Sequence, residues 1–164
     1  MKDEVMVLSD AVRAAIDSER ERFPEGRARS VLIFALTRVQ DELGWLSPAA
    51  LQAVADYLFL PLVAVHEVAH FYSMFCTRPV GRHTIRVCTS MPCEMAGGNV
   101  ALRYLQEKLG IAVGETTKDG QFTLFAGTCM GSCGEGPVLL VNNKRMCVRM
   151  SNDRIDALLE ELQS

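Results

Sequence analysis

The chain of 164 residues lacks most of the signals that announce a location or a substrate. Its longest apolar run, residues 58–65, is broken by Pro61 and falls far short of the roughly 20 residues that span a bilayer, so direct membrane insertion is not expected. The amino terminus, M-K-D-E-V-M-V-L-S-D, carries acidic residues where an export signal needs a basic and then an apolar region, and a cytoplasmic location follows. Seventeen Lys and Arg against twenty Asp and Glu leave a net charge of −3. No basic surplus is left to neutralise phosphates, which argues against nucleic-acid binding. Neither G-x-G-x-x-G nor a glycine-rich loop followed by Lys-Ser or Lys-Thr is present, so nucleotide binding on this chain is discounted. C-x-x-C is missing too, and with it a thioredoxin-type dithiol. Histidine is scarce: all three precede Cys88, which leaves no ligands for a Rieske centre beside the later cysteines. Internal repeats and low-complexity tracts are also missing.

What is present is a chain that is 49% hydrophobic, enough to bury one domain with a smaller neighbour. The first half reads as helices. Val31, Leu32, Ala35, Leu36, Val39 and Leu43 recur at three- and four-residue steps, predicting a helix over 28–43 that stops at Gly44. Ser47-Pro48 is an N-cap followed by a first-turn proline, which opens a helix over 48–58. Further helices are expected over 10–22 and 61–71, so the helical unit ends near Phe75. Arg78-Pro79-Val80-Gly81 breaks the pattern. Beyond it, 84–87 is a short strand delivering Cys88, and 96–109 a helix burying Val100, Leu102, Leu105 and Leu109. A strand at 122–125 follows, then a hairpin of 138–141 and 145–149, and a last helix capped by Ser151. This order predicts an α+β protein with a helical domain over 1–78 and a small sheet-and-helix domain over 79–164, both cysteine loops lying at one end of the sheet.

Four cysteines dominate the second half. Cys88 and Cys93 in V-C-T-S-M-P-C-E are spaced C-x4-C, and Cys129 and Cys133 in G-T-C-M-G-S-C-G-E-G are spaced C-x3-C. A cytosolic chain keeps thiols reduced, which favours metal binding over disulfides. A [2Fe–2S] cluster takes four thiolates as two pairs, and C-x4-C is the first spacing of plant-type ferredoxins. Gly127, Gly131, Gly134 and Gly136 would let backbone amides approach the sulfur atoms. Structural zinc, with C-x2–4-C pairs, and four ordinary buried cysteines also fit the spacing. Cys76 and Cys147 have no comparable partner. A second motif competes: His66-Glu67-Val68-Ala69-His70 is a literal H-E-x-x-H on a predicted helix, with His83 or Glu94 as the available third ligand for a zinc hydrolase.

The stretch R-S-V-L-I-F-A-L-T-R-V-Q-D-E-L-G-W-L-S-P at 29–48, V-A-H-F-Y-S-M-F at 68–75, the cysteine pairs with 35 residues between them, and L-G-I-A-V-G-E-T-T-K-D-G-Q-F-T-L at 109–124 together carry a resemblance. In these the chain resembles the thioredoxin-like [2Fe–2S] ferredoxin subunits of NADH:quinone oxidoreductase, the bacterial respiratory complex I. The resemblance implies an N-terminal helical bundle followed by a thioredoxin-like α/β domain, and a [2Fe–2S] cluster on Cys88, Cys93, Cys129 and Cys133. It also implies a partner subunit that carries FMN, the NADH site and an iron–sulfur centre of its own, and a peripheral place at the inner membrane through the complex. No catalytic residue is expected on this chain itself. Related subunits of NAD-linked formate dehydrogenases and of NAD-reducing or bifurcating hydrogenases share the cysteine pattern. His70 stands where the family commonly has Thr, which favours reading H-E-x-x-H as ordinary helix surface or interface. Exposed apolar residues such as Phe59, Phe71 or Phe75 are expected to help dock the partner, with simple core packing an equal reading for any one of them.

Overall fold

The computed structural model describes residues 6–163 and divides at Pro79–Val80 into two compact units. The first is all helical. Ser9 caps α1 (Asp10–Arg20) by accepting from the Val12 amide at 3.2 Å, and the helix buries Val12 and Ile16. A 3₁₀ turn at Ala28–Val31 leads into α2 (Leu32–Leu43), which places Leu32, Ala35, Leu36 and Val39 on its inner face and ends at Gly44, where φ is 82°. That left-handed angle suits glycine. Ser47 caps α3 (Pro48–Leu58) through the Ala50 amide, and α4 (Leu62–Phe71) follows Pro61.

These apolar faces meet in one core that includes Ile16, Leu36, Leu46, Leu51 and Val65. Gln40 ties the chain after α4 back to α2: its Nε2 donates to the Met74 carbonyl at 2.9 Å and its Oε1 accepts from the Cys76 amide at 2.6 Å. Phe59 and Phe71 stand 88% and 80% exposed, whereas Phe75 is buried in this core. Of the two readings of Phe75, docking and core packing, the second is the one seen: it follows the tight turn after α4, where its amide bonds the Tyr72 carbonyl and its ring packs edge-on to Tyr72.

The second unit is a four-stranded sheet in the order β2-β1-β3-β4, built from β1 (His83–Cys88), β2 (Phe122–Gly127), β3 (Leu139–Val141) and β4 (Arg145–Cys147). Strands β1 and β2 run parallel; β3 is antiparallel to both β1 and β4. The crossover between the parallel strands is made by a short helix α5 (Met91–Met95) and by α6 (Gly98–Leu109). With α7 (Asn152–Gln163), α6 covers the sheet, Leu105 of α6 and Ile155 of α7 packing with Ile85, Val87, Phe122, Leu124 and Leu139. Two departures from expectation have physical causes. Residues 91–95 form a helical turn where a loop was expected, because Pro92 sits in the first turn and five residues are too few to show periodicity. Val100 is 54% exposed and Ala101 is buried in its place, since α6 starts at Gly98 and its buried stripe runs through Ala101 and Leu105.

Candidate metal centre

Parallel pairing brings the ends of β1 and β2 to the same edge of the sheet, with Cys88 in register opposite Gly127. The chain leaving each strand carries one cysteine pair. After β1, Cys88 ends the strand and Cys93 lies on α5; both are 1% exposed. After β2, Cys129 and Cys133 lie on a loop and a 3₁₀ turn (Cys133–Glu135) and both are exposed, their sulfurs 3.2 Å apart. The Cys88 amide donates to the Val138 carbonyl at 3.0 Å and the Thr89 amide to the Gly127 carbonyl at 3.0 Å, which pins the first loop between β3 and β2.

The thiols are electrically linked. Burial pushes Cys88 up, yet it is outweighed by donors to the sulfur from the Ser90 amide, Cys93, the Ser90 hydroxyl and the Met130 amide, so Cys88 lies below its ordinary value. Cys93 is raised, first by burial and then by its bond to Cys88 and that neighbour's charge, against a pull down from the Val138 amide. Cys133 is raised by its bond to Cys129 and that thiol's charge, ahead of desolvation. Coulombic coupling also crosses between the pairs, Cys133 acting on Cys93 and Cys88 on Cys133. Two pairs of soft donors, close enough to feel each other, with amide donors aimed at sulfur, match what an anionic cluster with two irons requires. Among the described residues no group of three His, Cys, Asp or Glu side chains is arranged for one metal ion.

Space at the site is set by glycines. A Cβ at Gly136 would lie 2.8 Å from the Ala96 Cβ and 3.6 Å from the Cys93 sulfur, and one at Gly98 would lie 2.8 Å from the Cys88 carbonyl oxygen. Of the glycines expected to bring amides to sulfur, Gly131 does so, its amide 3.5 Å from the Cys129 sulfur. Gly127 serves the packing of Arg86 instead: a Cβ there would meet the Arg86 Cδ at 2.7 Å, while the guanidinium lies over the Phe125 ring at 4.7 Å. Ser90, Met130, Val138 and Gly98 were not legible as site residues, because their roles depend on backbone groups brought in by tertiary contact. Ser90, between the two cysteines of the first pair and two residues from Cys88, offered the one usable signal.

The H-E-x-x-H residues behave differently. His66 and His70 do share a face of α4, with rings 5.6 Å apart at 18°, but Glu67 pairs with Arg29 at 3.7 Å. Cys76 is buried and Cys147 half-buried.

The chain is similar to several known proteins. The E subunit of the NADH-quinone oxidoreductase of Pseudomonas aeruginosa is 41% identical over 137 residues, covering 84% of this chain and 81% of the relative. Its counterpart in Escherichia coli is 40% identical over 157 residues, covering 96% and 93%. A solved NAD+-reducing [NiFe]-hydrogenase in the H2-reduced state superposes with a TM-score of 0.67 at 26% identity, covering 78% of this chain and 22% of the hydrogenase chain. The pattern of a family of ferredoxins matches residues 16–163, which include every helix and strand described above except the first turns of α1, and all four thiols. By that match and by these relatives, the chain belongs to the thioredoxin-like [2Fe–2S] ferredoxin family.

Proposed function

We propose that this chain is the electron-carrying [2Fe–2S] subunit of an NADH:quinone oxidoreductase, holding its cluster on Cys88, Cys93, Cys129 and Cys133 beside a partner subunit that binds NADH and FMN. The observation that carries the reading is the two thiol pairs brought to one end of the sheet by the parallel pairing of β1 and β2, in a chain 40% identical to such a subunit over 96% of its length. When bound, the cluster supplies a one-electron redox centre. The chain's own residues do the rest. Cys88 and Cys93 close the buried side against water. Amides of Ser90, Met130 and Val138 stabilise negative charge on sulfur, which tunes the potential. On the exposed side, Cys129 and Cys133 leave the site open to a partner surface, and Met91 and Met95 project from α5 into solvent. The exposed rings of Phe59 and Phe71 offer the helical unit's docking contacts.

The chain has no group that makes or breaks a bond on substrate in this scheme, so NADH oxidation belongs to the partner. Among the described residues no helix is long and apolar enough to cross a membrane, and attachment at the cytoplasmic side of the inner membrane would be through the complex. The test is to mix the cluster-loaded chain with the NADH-oxidising flavoprotein of the same complex. NADH should bleach the visible absorption of this chain only when that flavoprotein is present. Bleaching by NADH of the chain alone, or failure of the loaded chain to bind the flavoprotein, sinks the proposal. The hydrogenase superposition favours one second reading, an equivalent subunit of an NAD-reducing hydrogenase, with the NAD-linked formate dehydrogenases as further kin. Co-purification with a nickel-bearing partner would establish it.

A further inference from the structure

The H-E-x-x-H segment on α4 is not used by the proposed function, yet its two imidazoles are arranged as a pair. His66 and His70 sit one helical turn apart, with ring centroids 5.6 Å apart and planes within 18° of parallel. Nδ1 of His70 lies 2.9 Å from the His66 carbonyl oxygen. A carbonyl oxygen only accepts, so Nδ1 carries the proton and Nε2 is left with its lone pair, the arrangement that second-neighbour hydrogen bonds impose on metal-binding histidines. His70 is exposed and His66 half-buried, so an ion can reach them from solvent. Glu67 is engaged with Arg29 at 3.7 Å, which keeps a carboxylate out of the donor set and, with no third ligand among the described residues, leaves coordination positions open to water.

We propose that His66 and His70 form a two-imidazole site for a borderline divalent transition-metal ion of the Ni2+, Cu2+ or Zn2+ class. Histidines at i and i+4 on one helix face can ligate a common ion. The χ2 torsion of histidine is broad, so the His66 ring can turn its Nε2 onto an ion held by His70 Nε2 without a backbone change, while His70 Nδ1 keeps its bond to the His66 carbonyl. Neutral imidazole selects this class of ion over Mg2+ and Ca2+, which prefer carboxylate and carbonyl oxygen. The site is independent of the four-thiol centre and of the chain's proposed role, and its failure would leave both untouched.

The test uses the full-length, cluster-loaded chain carrying Cys147→Ser, so that the four ligand thiols are occupied and the half-buried fifth is removed. Ni2+ is the probe, by titration calorimetry and by retention on immobilised Ni2+. Binding of one Ni2+ is expected, weakened about tenfold or more by either His70→Thr or His66→Gln, because each removes one arm of the chelate. His83→Gln should bind as the parent does, and all variants should keep their cluster absorption. His70 is solvent-exposed, so His70→Thr decides the matter even if His66→Gln folds poorly. Undiminished Ni2+ binding by His70→Thr, or no binding by the parent, overturns the proposal.

Discussion

Gly136→Ala offers a sharp test of how the site is packed. At Gly136 φ is −62° and ψ 159°, angles that any residue adopts, so alanine brings no backbone strain and acts only through its methyl group. That methyl would lie 2.8 Å from the Ala96 Cβ, 0.6 Å inside the 3.4 Å where ordinary contact begins (3.4 − 2.8), while the Cys93 sulfur at 3.6 Å is already at ordinary contact. The turn after α5 must therefore give way against the loop bearing Gly136, although the ligand itself is not displaced. Overpacking of this kind costs about 1–3 kcal/mol. Each kcal/mol lowers the melting midpoint of a unit of this size by about 4–8 °C. Circular dichroism of reduced, cluster-free protein reads the effect without cluster loss complicating the transition. Ala96→Gly removes the opposing methyl and alone costs about 0.5–1 kcal/mol. Combined with Gly136→Ala it should return about 1–2 kcal/mol of the loss as a favourable coupling. Simple additivity of the two changes, or a neutral Gly136→Ala, would refute the packing argument.

Three further outcomes follow from the same geometry. Gly98→Ala should destabilise at least as much as Gly136→Ala and resist rescue, since its methyl would meet the backbone carbonyls of Cys88 and Cys93 at 2.8 and 2.9 Å and backbone cannot be trimmed away; urea denaturation measures it. Cys88→Ser should abolish the cluster absorption, whereas Cys129→Ser should leave an altered spectrum, because serine on the buried, water-free side forfeits more than on the exposed side. His83 is held below its ordinary value by burial and then by the charge of Arg82, against a smaller upward pull from the Leu162 carbonyl, which does not reach its buried Nε2 in hydrogen-bonding geometry. The folded state thus refuses a proton that the unfolded chain accepts near pH 6.5, so stability is full above about pH 6.5 and falls below it. His83→Gln should flatten that slope in urea midpoints measured across pH; an unchanged slope contradicts it.

Local signals carried far in this chain. Ser47-Pro48 and Gly44 mark helix ends through capping chemistry confined to neighbouring residues, and α2 and α3 lie where those residues put them. The cysteine spacings were legible for the same reason: each pair is close in sequence, and thiolate chemistry narrows what two such pairs can hold. Tertiary facts were hidden. The element order was enough to expect both loops at one end of the sheet, but nothing in the string at 84–88 says that Cys88 pairs with Gly127. The contrast between a buried first pair and an exposed second one arises because Cys88 and Cys93 pack with Val138, Met130 and Val148 while Cys129 and Cys133 lie on an exposed loop. Met130, an apolar residue between two cysteines, gave no hint that its amide would serve Cys88. Phe75 was left undecided because aromatic side chains near a unit's end read alike whether they dock outward or fold inward.

The central claim, that four thiols in two pairs hold one [2Fe–2S] cluster, is tested most directly by counting iron and acid-labile sulfide in the anaerobically purified chain and recording its paramagnetic resonance after dithionite reduction. The expected result is a brown protein with two irons and two sulfides per chain and a paramagnetic signal that appears on one-electron reduction. A colourless protein with one tightly held zinc and no signal after reduction would contradict it.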